Sequence, residues 1–347
     1  MSERPQKVDP VRSKGLSDFV FAADDGYSIP LRVAVGSLLN SCIGRGGEIV
    51  IHVLDLGISD ANWQDCAESW RRLRPTVLIV RYPISPSRYA RMRLWRGSVA
   101  TYARIDIPEL LRGVEWCCYF DCDTLIVRDP RELSSFCESD FAILGRAVRE
   151  DIIDAVDGRW FREKGLEIDR NRYVCAGILL MNLSWFRSHG TAAKCFDFLL
   201  HYPDSVTADQ TALNYVCKGS VGLLPDEWGL GSDETMKATS CSCVHFAGTV
   251  PWRNVSDIGF FCGEHRLADL WRRLAIERLG VTNEELPNLS LKRTWMLRSC
   301  GCITWHLLVT LSVLNCIPGR LGGIVKSVRQ RRQARAVARL RELIFCG

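Results

Sequence analysis

The chain has no internal repeat, no low-complexity tract and no apolar run that clearly fills a bilayer, over 347 residues. The missing repeat argues against solenoids and propellers. The longest uncharged stretch, Ser299 to Gly319, has a dense apolar part from Ile303 to Ile317. As a helix that part is about 22 Å long, against roughly 30 Å for a hydrocarbon core. Strong overall charge is also absent. The formal net is +5, and the excess sits at one end: Pro318 to Gly347 carries eight basic residues against the single acid Glu342. That segment is +7, which leaves residues 1–317 at −2. A near-neutral body argues against a general phosphate-backbone surface, so no nucleic-acid partner is expected. Sixteen cysteines are present, but without the regular framework of small secreted modules, and reduced, mostly buried thiols are expected. Met1 to Gly15 is polar, carries Pro5 and Pro10, and lacks the apolar core of a secretion signal. It reads as a flexible tail on a cytosolic protein.

What is present is an alternation of strand and helix signals. Asp18 to Ala23 reads as a first strand running into Asp24-Asp25-Gly26-Tyr27. Leu31 to Ile43 has helical spacing, Glu48 to Leu54 reads as a strand, and Ser59 to Leu73 as a helix with Ser59 as its N-cap. Thr76 to Tyr82 is a third strand, Ala100 to Leu111 a helix, and Trp116 to Phe120 a further strand. Later come a strand within Tyr173 to Leu183, helices over Thr191 to Leu200 and Asp209 to Cys217, and a strand over Cys241 to Phe246. This order predicts an α/β fold with a mostly parallel, doubly wound, Rossmann-like sheet flanked by helices. Ligands of such sheets sit beyond the carboxyl ends of the strands, where the Asp24 and Asp121/Asp123 loops both fall.

Tyr119-Phe120-Asp121-Cys122-Asp123-Thr124-Leu125-Ile126-Val127 carries the most chemistry. It reads as a buried strand delivering two carboxylates one residue apart, on one face by strand alternation. Two adjacent anions call for a cation between them. A solvated strand-to-loop junction is the plainer reading. Asp-x-Asp-Thr is also similar to the nucleophile run of haloacid-dehalogenase phosphatases, although Leu125 stands where that pattern has Thr or Val. Cys241-Ser242-Cys243-Val244-His245 offers a zinc reading, but no second pair has finger spacing.

Six segments in order raise a more detailed likeness: FVFAADDGY near the start, TYARI at 101–105, YFDCDTLIV at 119–127, AGILLMNL at 176–183, DQTALN at 209–214 and HFAGTVPW at 245–252. Together they resemble family 8 glycosyltransferases, close to bacterial lipopolysaccharide galactosyl- and glucosyltransferases. The resemblance implies a single nucleotide-diphospho-sugar transferase domain of the GT-A type over residues 16–290, after a tail at 1–15 and before a segment at 291–347. It implies that Asp121, Asp123 and His245 bind Mn²⁺, with Mg²⁺ as the alternative, bridging the phosphates of UDP-galactose or UDP-glucose. Ala22, Asp24 and Tyr27 would hold the uracil, while Asp25 keeps the reading of an ordinary turn residue. Arg104 would contact sugar and phosphates, and Asp209 and Gln210 would lie by the anomeric carbon. Cys122, Cys175, Gly248, Trp252 and Arg253 complete the donor-binding set.

The implied reaction is retaining hexosyl transfer. A covalent route needs a carboxylate nucleophile, and the matching position is Gln210, so front-face displacement is expected. Two departures stand out. Cys175 occupies a position where the family pattern has an asparagine, and Val250 stands where the late loop usually has a lysine; Arg253 is the expected substitute. These departures leave open a catalytically silent sugar-nucleotide-binding or scaffold protein.

The uncharged 299–319 stretch fits a spanning helix, an in-plane anchor or a helix packed on the body. Lys292, Arg293 and Arg298 before it and the +7 segment after it favour the in-plane reading, with Trp295 and Trp305 in the interface and arginines on anionic headgroups. The expectation is a cytoplasmic enzyme attached peripherally to the inner face of the membrane, acting on a lipid-linked glycan such as lipopolysaccharide.

Overall fold

The computed structural model describes residues 15–235, 238–247, 250–252, 264–286 and 338–345. Ten strands occur among them: β1 Asp18–Ala23, β2 Val50–Asp55, β3 Leu78–Pro83, β4 Trp116–Phe120, β5 Thr124–Ile126, β6 Ile143–Ala147, β7 Val174–Asn182, β8 Val221–Leu223, β9 Trp228–Gly231 and β10 Cys243–His245. Seven form a sheet in the order β3-β2-β1-β4-β7-β6-β8, in which β7 alone runs against its neighbours. This is the mostly parallel, doubly wound architecture expected from the alternation.

Burial explains the strands. β1 and β2 are buried at every residue, the mark of parallel strands covered on both faces. β3, at the sheet edge, is partly exposed and carries Arg81, which blunts the edge. The helix α1, Ser28–Ser41, is buried around most of its circumference. It lies between the main sheet and a second sheet of β5, β10 and β9. The helix α2, Asp60–Leu73, is amphipathic, and Ser59 caps it by accepting from Asn62 N at 3.4 Å.

Two differences from the sequence reading matter for the site. Ala100–Leu110 is mostly 3-10 helix, with a single α turn at Ile107–Leu110 around Pro108. The run from Tyr119 to Val127 is not one strand: β4 and β5 belong to different sheets, with a turn between them.

The helix at 338–345 packs on the body. Leu340 and Ile344 are buried with Trp271 and Leu274 of the helix Glu264–Glu277, and Asn40 Nδ2 donates to Ile344 O at 2.7 Å. The remainder of the expected C-terminal segment, 291–337 and 346–347, and residues 1–14 of the expected tail lie outside the described residues.

Candidate active site

The β4–β5 turn builds the acidic pair. Asp121 N still donates across to Gly177 O of β7 at 2.8 Å, after which Cys122 and Asp123 turn the chain into the second sheet. Thr124 Oγ1 closes the turn by donating to Asp121 O at 2.8 Å. Antiparallel pairing sets His245 of β10 opposite Thr124, and Phe246 N donates to Asp123 O at 2.8 Å. One ligand atom each from Asp121, Asp123 and His245 therefore lie within 4.8 Å of one another. The carboxylates do converge, but through a turn between sheets and not by strand alternation.

His245 is held on three sides. Nε2 lies 3.2 Å from Asp123 Oδ1 and 3.8 Å from Asp121 Oδ2, while Nδ1 is 3.6 Å from Cys175 Sγ. Below the ring is Gly177, where a Cβ would come within 2.2 Å of His245 Cε1. Burial opposes charge on both partners, yet attraction between them wins: Asp123 is held below the usual carboxylate range and His245 well above the imidazole range. Asp123 Oδ1 is buried without an aligned hydrogen bond, as suits an acceptor oxygen facing a cation. Two carboxylates and an imidazole suit an octahedral divalent ion of the Mn²⁺ or Mg²⁺ kind. Among the described residues the cluster does not include Cys241 or Cys243, so the zinc reading gains no support.

Arg104 ties this cluster to the helix Asp209–Val216. Its Nη2 donates to Asp121 Oδ1 at 2.8 Å, its Nε lies 2.8 Å from Asp209 Oδ2, and its Nη1 donates to Ala176 O. The guanidinium stacks over Tyr119 at 4.4 Å, and Tyr119 Oη donates to Asp121 Oδ1 at 2.8 Å. Burial opposes charge on Arg104 as well, but Asp121 and Asp209 outweigh it and raise its pKa. Asp209 behaves oppositely. Burial outweighs Arg104, which it shares with Asp121, and pushes its carboxyl up to about 6. Thr101 Oγ1 donates to Asp209 Oδ1. Gln210 Oε1 accepts from Ala176 N at 3.0 Å, which fixes the amide beside β7.

The first loop divides its aspartates as expected. Asp25 Oδ1 accepts from Ser59 N at 2.7 Å and Asn62 Nδ2 at 2.8 Å, a structural role at the start of α2. Asp24 faces the cavity and accepts from Ser98 Oγ at 2.7 Å. Ala22 O accepts from Cys122 Sγ at 3.3 Å. With the exception of Trp252, every described residue that the sequence assigns to the site lines one cavity of about 590 Å³. Trp252 is buried and packs edge-on against Tyr27 at 5.8 Å, so it supports the cavity wall. Gly248 and Arg253 lie outside the described residues.

Sequence reasoning passed over Arg96, Ser98, Thr101, Tyr119 and Gly177, all at this cavity. Gly177 was the detectable one, because a glycine inside a strand signals close approach by another group.

The profile of glycosyl transferase family 8 matches residues 18–256. The chain belongs to that family. A Haemophilus influenzae protein named as a candidate glycosyltransferase is 25% identical over 210 residues, covering 60% of this chain and 61% of that protein. The chain thus spans under two thirds of that relative's length. Galactosyltransferase LgtC, solved with donor and acceptor sugar analogues, is 26% identical with a TM-score of 0.63 over 77% of this chain and 98% of its own. A second LgtC structure, with an active-site glutamine changed to glutamate, gives 25% and 0.62, over 77% of this chain and 98% of that one. The bifunctional glycosyltransferase WbbM, at 19% identity and a TM-score of 0.62, shares the fold over 80% of this chain and 52% of its own.

Proposed function

We propose that this family 8 glycosyltransferase is a retaining hexosyltransferase that moves galactose or glucose from a UDP-sugar to a lipid-linked glycan, with lipopolysaccharide core as the acceptor class. The observation that carries the reading is the closure of Asp121, Asp123 and His245 to within 4.8 Å, on a cavity that also holds Asp24 and Tyr27. LgtC, a galactosyltransferase solved with donor and acceptor sugar analogues, lends the same direction.

In this reading Asp121, Asp123 and His245 hold Mn²⁺, or Mg²⁺ in its place. When bound, the ion supplies Lewis-acid relief of the charge on departing UDP. Asp24 and Tyr27 hold the uracil. Arg104 is a positioning residue that fixes Asp121 toward the phosphates and Asp209 toward the sugar. Gln210 is no nucleophile, and its Oε1 is already bound to Ala176 N. The acceptor hydroxyl therefore attacks from the face that UDP leaves, and the leaving phosphate takes its proton.

Mn²⁺-dependent UDP release from UDP-galactose and UDP-glucose, with glycan acceptors, tests the assignment. Asp121→Ala and Asp123→Ala should each abolish turnover; full turnover of either in chelator would overturn it. Tight UDP binding with no turnover on any acceptor would favour the silent alternative.

Peripheral attachment to the inner membrane face belongs to the same proposal and rests on the sequence of 291–337. No helix among the described residues is long and apolar enough to cross a membrane. Deleting 295–337 while keeping the packed helix at 338–345 should abolish co-sedimentation with anionic vesicles; unchanged co-sedimentation would remove the anchor.

A further inference from the structure

The donor's diphosphate calls for a cation in the cavity; the family's loop lysine is Val250 here, and Arg253, the substitute expected from the sequence, lies outside the described residues. Val250, standing where the family pattern has a lysine, is buried in an apolar cluster with Trp252 and Trp271. Among the described residues four arginines line the cavity. Arg104 is shared between Asp121 and Asp209, Arg146 is clamped by both carboxylate oxygens of Glu234 at 2.8 Å, and Arg149 pairs with Asp151. Arg96 has no carboxylate partner among the described residues, and it lies near enough for its charge to act on Asp123.

The backbone under Arg96 carries a second signal. Trp95 N donates to Ser98 O at 2.9 Å and Ser98 N to Trp95 O at 3.0 Å, leaving Arg96 and Gly97 at the tip of a tight turn. Both have positive φ, 49° and 88°, the pattern of a type I′ turn. Asn or Gly is favoured at the first of these positions, and arginine there is strained. Strain of this kind persists where the side chain is needed. Ser98 Oγ then ties the turn to Asp24 at 2.7 Å, which fixes Arg96 relative to the first loop.

We infer that Arg96 is a donor-binding residue that pairs with the diphosphate of the sugar nucleotide and takes the place of the absent loop lysine. The inference rests on the UDP-sugar reading above. A diphosphate brings charge that the acidic cluster and its ion do not fully balance, and among the described arginines of the cavity wall Arg96 is the one whose guanidinium has no carboxylate partner, its contact being the Trp95 ring at 5.8 Å. A bidentate guanidinium–phosphate contact is among the stronger charge-assisted bonds.

The test is calorimetric titration of UDP and of uridine, with Mn²⁺ present, into the full chain and its R96A, R96K and R96G variants. R96A and R96G should bind UDP about 10- to 100-fold more weakly, with uridine affinity unchanged and R96K recovering part of the loss. R96G should keep or raise the Tm, because glycine relieves the left-handed strain, whereas a merely structural arginine would lose stability. Wild-type UDP affinity in R96A overturns the assignment, as does an equal loss for uridine. Failure of the wild type to bind UDP at all overturns the donor reading itself, and Arg96 with it.

Discussion

Gly177→Ala separates the metal geometry from the rest of the fold. Gly177 lies inside β7 with ordinary strand backbone, so alanine suits the chain at least as well as glycine. The cost falls on His245. The new Cβ would stand 2.2 Å from Cε1, 2.6 Å from Nε2 and 2.9 Å from Nδ1, where ordinary contact begins at 3.4 Å. Relief requires the ring to retreat by about 1 Å, and dense packing gives it little room. Metal ligands tolerate displacements of about 0.2 Å, so in the proposed metal site the imidazole would be lost to the ion.

Disturbing the partners that merely orient a ligand weakens metal binding by about 10- to 100-fold, and displacing the ligand itself should cost no less. The expected loss is therefore at least about 1.4 kcal/mol. Titration of free Mn²⁺ by electron paramagnetic resonance, without donor, measures it directly. In a His245→Ala background the same glycine change should cost nothing further, since both act on one ligand. Wild-type Mn²⁺ affinity in G177A, or full additivity with H245A, would refute the reasoning.

Asp209, with its pKa lifted by burial from 3.8 to about 6, holds its proton more tightly folded than unfolded, so this group's contribution to stability falls as pH rises from about 4 through 6. Asp209→Asn should flatten the pH dependence of the Tm between about pH 4 and 6, while turnover is lost; a pH profile like that of the wild type contradicts this. Truncation after residue 337 exposes the sites of Leu340 and Ile344, each 3% exposed, at a cost of up to about 3–6 kcal/mol, and scanning fluorimetry should show the Tm falling by roughly 5 °C or more. Cys175→Ala removes the partner 3.6 Å from His245 Nδ1 and should weaken Mn²⁺ binding about 10-fold; a changed donor preference with unchanged Mn²⁺ affinity would instead put the thiol on the sugar.

The sequence was informative wherever burial is uniform. β1 and β4 follow from continuous apolar runs, β2 from an apolar run interrupted by His52, and the Ser59 cap from one hydroxyl before an amphipathic stretch. The same uniformity hid the β4–β5 boundary. Leu125 and Ile126 are as buried as Tyr119 and Phe120, so no periodicity marks where the chain leaves one sheet for another. β6, whose Ile143-Leu144-Gly145-Arg146-Ala147 includes a glycine and an arginine, has no strand signature of its own and forms through pairing with β7 and β8. Arg104 read as an ordinary helical charge apart from the family likeness; its burial is imposed by Asp121 and Asp209, which are distant in sequence.

Local preference and site geometry conflict at Gly177 and Arg96, and again at Ala208, which precedes Asp209. Ala208 has φ 52° and ψ −118°, a conformation close to the first central position of a type II′ turn, where glycine is usual. Such strain costs about 1–3 kcal/mol, whereas the buried methyl returns only about 0.8 kcal/mol. Ala208→Gly should therefore leave stability unchanged or raise it by about 1 kcal/mol, after the entropy that glycine loses on folding. Turnover should fall, because the strained residue sets where the helix Asp209–Val216 begins and thus where Asp209 and Gln210 meet the cavity. Thermal unfolding and UDP release on one preparation separate the two effects. A Tm several degrees below wild type would mean that Ala208 is held for packing, and that the strain does not serve the site.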